Sequence, residues 1–456
     1  MADAPRAPRP FDASDVLPGV MPFIDPHDHL VPADSYLQDF VLATKGIATP
    51  TRLCVWGALF QVSCVLKRDA WISWSPDPFY GNLYVIFVGP PRWQGKSTVI
   101  DGYVDHILRS YTKHLPVELQ PRKQIQAFHS KVTPEGLFKC LSEPTRIAAK
   151  SPEGKSIMIE IPWSNAALIM SELGTFLSKQ RYNESLVQKI TDLYSCKAED
   201  DETTKGEGKL RVRDTYVTLL GATTQEAIEK NLPDATMADG FLSRVIIVRG
   251  DDIVRVWSKP YEVVDKGRER LGRRLAWIAA YCNGEYTLDD SVNAAHDETF
   301  MRLVEWTRGH PDRRIAAAQS RKDLHVLKVA MLICASRYDT SRVITLEDYH
   351  AAVAIVDDAY KDAFQVTAFV GSTPESKAIN DLRSYLEYKH EIERRELIGR
   401  FSAKHGKTGI PARTLTLYLR DLVDEGMIEV WDDNRRQERL LEKTHELYRW
   451  VGKADG

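Results

Sequence analysis

Two hydrophobic periods alternate through this chain. Apolar runs at 83–88, 166–170 and 245–248, and runs at 157–161 and 216–222 broken only by Glu160 and by Thr218, have the length expected of buried strands. Between them apolar residues recur three and four positions apart. Val99, Ile100, Tyr103, Val104, Ile107 and Leu108 predict a helix over 97–111. Leu37, Phe40, Val41 and Thr44, then Leu53, Val55, Leu59, Val62 and Val65, predict a helical segment over 34–66. Thr133-Pro134-Glu135 has the residue types of a helix start. Trp71 to Trp74 reads as a short strand, and 265–365 is predominantly helical, most strongly over 321–335, with Thr345 as a cap for a further helix. Strands interleaved with helices in this way define an α/β chain with a parallel sheet.

Turn and linker residues divide the chain. Residues 1–33 form a Pro- and Ala-rich arm, 34–80 a helical preface packed on the core, 81–255 the α/β core and 256–370 a helical lid. Gly371-Ser372-Thr373-Pro374 reads as a linker into a last domain, 371–456. That domain shows helical patterns at 375–388, 393–403 and 411–426. Two apolar stretches, 427–431 and 439–441, then flank a polar tip at 432–438. Helix, helix, turn, helix and β-wing is the order of a winged helix-turn-helix. The polar segment 198–209 reads as a flexible loop.

The candidate chemistry begins where the first long apolar run stops. Gly89-Pro90-Pro91-Arg92-Trp93-Gln94-Gly95-Lys96-Ser97-Thr98 lies between a strand and a helix, which is the context of a phosphate-binding loop. Backbone N–H groups in such a loop surround phosphates. In such a loop Lys96 is expected to neutralise β- and γ-phosphates, and the Ser97 hydroxyl to complete a Mg²⁺ shell. Five residues separate Gly89 from Gly95, where the usual pattern has four; either Pro90 replaces the first glycine or the loop carries one extra residue. A second Gly-Lys-Ser at 154–156 lacks a preceding strand and reads as a turn.

Downstream runs offer partners for that loop. Residues 166–170 run into Ser171-Glu172, so Glu172 stands where a strand-end carboxylate polarises the attacking water and helps hold the metal. Ser171 occupies the place where an aspartate usually assists with the metal. Thr223, at the end of the 216–222 run, suits a γ-phosphate sensor, with Thr224 as a helix cap. Arg244, entering the next run, is either a structural cation or an arginine projected toward a neighbouring subunit's phosphate. Lys205, Lys209 and Arg211 precede the Thr223 run; by charge and position the 205–213 loop is a candidate hairpin reaching a central pore, and these residues are candidates for DNA contact there. In the last domain Arg394, Arg395 and Arg413, with Arg435 and Arg436 at the wing tip, are the candidate DNA contacts. Residues 421–433 carry six acids and no base, so a protein partner competes with DNA there.

Composition narrows this only a little. A formal net charge of −3 over 456 residues gives no global signal for nucleic acid, so any such site must be local. The six cysteines are scattered without a Cys-x-x-Cys pair, which suits a reducing compartment. No apolar run is long enough to span a bilayer, and a cytoplasmic protein is expected. His27-Asp28-His29 raises a separate possibility, a metal-dependent hydrolase whose two imidazoles face one metal.

Taken together, the 82–85 approach to the loop, Ser171-Glu172-Leu173-Gly174, Gly221-Ala222-Thr223-Thr224, Gly240-Phe241-Leu242-Ser243-Arg244 and the helices at 321–355 resemble the P-loop ATPases of prophages and mobile elements, described as helicase or primase-helicase domains. The resemblance covers about residues 35–365. It implies an AAA+/RecA-like core with a helical lid, binding ATP and Mg²⁺ and doing work on single- or double-stranded DNA. It further implies a homo-oligomer, a hexameric ring, with a replication partner reached through the winged helix. A nucleotide-gated DNA-binding regulator with little turnover, such as a partition, transposition or defence component, is the alternative.

Overall fold

A computed structural model describes residues 25–47, 49–74, 76–90, 94–129, 133–142, 145–150, 155–161, 164–173, 181–204, 208–231, 240–250, 265–310, 313–369, 382, 385–386, 389–401, 412–424, 428–431 and 447–451. The chain divides into two compact units, 1–370 and 371–456. The expected arm before residue 25 and the 371–374 linker lie outside the described residues.

Helix α1 is Tyr36–Thr44 and α2 is Thr51–Leu66. Every residue of α2 is buried, so its polar groups must find partners inside the protein. Thr51 donates its N–H to Asp25 Oδ2 (2.8 Å) and its hydroxyl to Asp28 Oδ1 (2.8 Å), which brings two carboxylates to the positive end of the helix. Arg52 pairs with Asp358 at 2.8 Å. Gln61 accepts from Tyr36 Oη (2.7 Å) and donates to Val104 O (3.0 Å), and the Ser63 carbonyl accepts from Tyr216 Oη (2.8 Å). The helix stops at Lys67, whose φ of 53° is left-handed.

One face of α2 covers a five-stranded sheet. Its strands are β1 (Tyr84–Val88), β2 (Ala127–Phe128), β3 (Asn165–Met170), β4 (Tyr216–Thr223) and β5 (Val245–Arg249). Their order is β5-β1-β4-β3-β2 and all pairings are parallel. Val88 pairs with both Thr223 and Arg249, so the carboxyl ends of β1, β4 and β5 are level. Helix α3 spans 96–110 as Lys96–Val99, a π-turn Ile100–Asp105 and His106–Ser110. Helices α4 (Pro134–Ser142) and α5 (Arg181–Leu193) contribute to a second apolar cluster, with Tyr84, Ile86, Leu168 and Leu219 from the sheet.

The segments expected as preface and lid share one core. Helices α6 (Asp265–Tyr281), α7 (Lys322–Ser336) and α8 (Leu346–Phe369) close around α1, α2 and β5. Strand Ala70–Ile72 pairs in parallel with Gly284–Leu288, a strand the helical reading of 265–365 passed over. Thr345 and Asp348 cap α8 reciprocally: the Asp348 N–H reaches Thr345 Oγ1 (3.3 Å) and the Thr345 N–H reaches Asp348 Oδ2 (3.0 Å).

The sequence expectation for 198–209 is corrected. Glu199–Thr204 and Gly208–Arg213 form an antiparallel hairpin, with Glu199 opposite Arg213 and Asp201 opposite Arg211. Cross-strand opposite charges support pairing that the polar composition alone conceals.

In the second unit, β6 (Glu391–Glu393), α9 (Arg394–Phe401), α10 (Ala412–Asp424), β7 (Ile428–Trp431) and β8 (Leu447–Trp450) surround Leu397, Leu415, Leu419 and Ile428. The sheet is antiparallel in the order β6-β8-β7. Strand β7 pairs with 447–450, and the apolar stretch expected at 439–441 lies outside the described residues.

The first unit also buries cations among neutral partners. Lys328 donates to Asn82 Oδ1 (2.7 Å) and lies 3.9 Å from the centre of the Tyr194 ring; burial pushes its pKa down to about 7. His325, between Tyr360 Oη (2.7 Å) and Tyr194 Oη (2.9 Å), is pushed down to about 3 by the same cause. Above pH 7 the unfolded chain holds a proton at position 328 that the native state has released, so stability rises with pH. The expected result is a higher urea midpoint at about pH 9 than at about pH 7, with Lys328→Met removing up to about 1.4 kcal/mol per pH unit of that rise.

Candidate functional site

Residue types and strand order gather polar groups at one edge of the sheet. Gly89 follows β1, and its N–H reaches the carbonyl of Thr223, the last residue of β4, at 3.3 Å. Gly250 follows β5, and its N–H reaches Val88 O at 2.8 Å. Gln94 is buried against both glycines with neither amide atom hydrogen-bonded. A Cβ on residue 89 would fall 2.3 Å from Gln94 Oε1, the movable end of that side chain, and 3.2 Å from the Gly250 carbonyl, so a side chain there turns Gln94 aside and crowds the backbone. Gly95 begins α3 with φ 57° and ψ 24°, a left-handed conformation that again favours glycine.

Lys96 lies across this loop. Its Nζ donates to Gly89 O (2.5 Å) and Pro90 O (2.7 Å), and partial burial lowers its pKa. Ser97 and Thr98 are exposed on the first turn of α3. Pro91, Arg92 and Trp93 lie outside the described residues.

Strand β3 ends one strand away from β4, and Ser171 and exposed Glu172 follow it. Thr223 is buried, while Thr224 accepts the Ala227 N–H at 3.2 Å and so is the helix cap. Lys96, Ser97, Glu172 and Thr223 therefore belong to the same edge. Sequence reasoning missed a second group there. Asp101 and Asp105 lie one and two turns beyond Ser97 on α3; Asp105 binds Arg109 Nε (2.7 Å) and His129 Nε2 (2.6 Å), just past β2. The four-residue spacing from Ser97 was the signal available for both.

Arg244 is elsewhere. It precedes Val245, which pairs with Tyr84 at the start of β1, roughly 13 Å along the strand from its carboxyl end. Its Nη1 donates to Gly240 O (2.9 Å), and its pKa is lowered by burial and then by Arg321.

The basic candidates for nucleic acid are scattered. Lys209 sits opposite Thr203 in the hairpin, and Arg213 pairs with Glu199 at 3.5 Å; Lys205 lies outside the described residues. In the second unit Arg394 Nη2 donates to Thr416 Oγ1 (3.4 Å) across α9 and α10, Arg395 is exposed and Arg413 is near the start of α10. Arg435 and Arg436 lie outside the described residues. The histidine pair has local partners: His27 Nδ1 is 3.2 Å from Asp25 Oδ1, and His29 Nδ1 is 2.8 Å from Pro26 O. Among the described residues no three His, Cys, Asp or Glu side chains converge as a metal site, and no helix is long and apolar enough to cross a membrane.

The fold defines an α/β protein with a five-stranded parallel sheet whose carboxyl edge carries the loop. No protein-family model matches the chain, and no similarity to a curated protein reaches significance.

Gly89→Ala is expected to lower stability by about 1 kcal/mol, because the Gly250 carbonyl must give way once Gln94 has turned aside. Urea unfolding of the two proteins measures it, and equal midpoints would remove the steric argument.

Proposed function

We propose that this protein is an Mg-ATP-dependent DNA motor, a P-loop ATPase of the AAA+/RecA-like kind acting in mobile-element or phage DNA replication as a ring oligomer. The observation that carries the reading is the strand order β5-β1-β4-β3-β2, which aligns the Gly-Lys-Ser loop, Thr223 and Glu172 along one carboxyl edge. Ligands of open α/β sheets bind outside the carboxyl ends of strands where the order of connection reverses, and β1, flanked by β4 and β5, is such a position.

The donors at this edge, Ser97 and Glu172 with Ser171 beside them, are hard oxygens, which suit Mg²⁺. The metal with its nucleotide supplies charge neutralisation when bound. Lys96 exchanges its two loop carbonyls for phosphate oxygens, Glu172 accepts a proton from water, and Thr223 orients that water. Arg244, at the opposite end of β1, serves a neighbouring copy in this reading. The hairpin before β4 and the winged-helix unit are the DNA contacts, and a replication protein is a second partner for the latter.

ATP turnover of wild type and Lys96→Ala, each with and without single- and double-stranded DNA, tests the proposal. Wild type is expected to hydrolyse ATP faster with DNA, and Lys96→Ala to lose roughly 10²-fold or more. ATP binding without turnover would select a nucleotide-gated regulator, and no ATP binding would overturn the reading. For the hairpin, Lys209→Ala with Arg211→Ala is expected to abolish DNA stimulation while basal turnover persists. Unchanged stimulation would take the hairpin out of the DNA path.

A further inference from the structure

A divalent cation shared with a nucleotide is held by one or two carboxylates together with phosphate oxygens and water. At this sheet edge the strand-end position after β3 is Ser171, and the ATPase reading divides Glu172 between the water and the cation. The strand therefore offers the cation no carboxylate that the water does not also need. We propose, resting on that ATPase reading, that Asp101 of α3 supplies this carboxylate, holding the cation together with Ser97.

Ser97 and Asp101 are four residues apart on one continuous helix, a spacing that stacks side chains on the same face. The π-turn that carries Asp101 packs against β3, the strand that ends at Ser171. Ser171 follows that strand, and its hydroxyl is near enough to act on the Asp101 carboxyl, so the serine and the aspartate are neighbours. The position of Asp101 is thus fixed from two elements, the helix leaving the loop and the strand carrying Glu172.

Asp105, the next carboxylate on this face, is already engaged. It is nearly buried and bound by Arg109 and His129. Asp101 is exposed, and among the described residues no lysine or arginine lies within ion-pair distance of it. A π-turn is uncommon in a helix and recurs at functional sites, and here it begins immediately before Asp101.

The test is binding rather than turnover. A fluorescent ATP analogue is titrated into the full chain in EDTA and at increasing Mg²⁺, using wild type, Asp101→Asn, and Asp101→Asn combined with Ser171→Asp. Wild type is expected to bind more tightly with Mg²⁺. Asp101→Asn should need about 10- to 100-fold more Mg²⁺ for the same gain while binding equally well in EDTA. Ser171→Asp should restore the wild-type Mg²⁺ midpoint, a rescue that a purely structural role for Asp101 would not give. An unchanged Mg²⁺ midpoint in Asp101→Asn would overturn the inference and leave the ATPase reading standing. Equal weakening in EDTA and Mg²⁺ without rescue would also overturn it. No nucleotide binding by wild type would end the parent reading and this inference with it.

Discussion

A helix with no exposed side has nowhere to send its polar groups, and satisfying those of α2 organises the first unit. Its amino end must meet acceptors, so the turn carrying Asp25 and Asp28 is drawn against it. Arg52 needs an anion, which ties α8 to α2 through Asp358. Gln61 and Ser63 bind α3 and β4 from the same helix. An unsatisfied group at any of these places costs about 1–3 kcal/mol, so the partners are as constrained as the helix itself. This explains why helices from both sides of the sheet in sequence share one apolar core.

The sheet sets the chemistry by geometry alone. With all five strands parallel, every loop that follows a strand emerges at one edge, and every loop that precedes a strand emerges at the other. Gly89, Ser171 and Thr224 follow strands, whereas Arg244 and the 199–213 hairpin precede them. The two groups are separated by the length of the strands. One copy of the chain therefore holds Arg244 a strand's length away from its own loop.

The two ends also differ in how they treat charge. Near the start of β1, Lys328 and His325 are fully enclosed among tyrosines and an asparagine, and desolvation pulls both toward neutrality. At the carboxyl edge Lys96 and Asp101 are only partly enclosed. The first arrangement stiffens a core through neutral hydrogen bonds. The second leaves charge in contact with water.

Local pattern was sufficient for the strands of the sheet. A continuous apolar run fills a strand only when both faces are covered, and four of the five runs became strands of the main sheet while 157–161 entered a hairpin. The Gly-Lys-Ser loop was legible for a similar reason, since Gly95 answers a backbone requirement that leaves its mark in sequence. Of the 199–213 hairpin only the 205–213 part was legible as such, because the acidic residues of 199–204 read as loop until they pair across the strands. Strand 284–288 was hidden likewise, its partners lying at 70–72 and 343–344. Asp101 passed as one more polar position on an amphipathic helix; only the packing of α3 on β3 brings it to Ser171, seventy positions away. Sequence by itself determines what depends on near neighbours, namely helical period, strand burial and glycine-demanding turns. Which strands adjoin, and therefore which side chains meet, depends on contacts between distant segments, and the tertiary structure alone decided that.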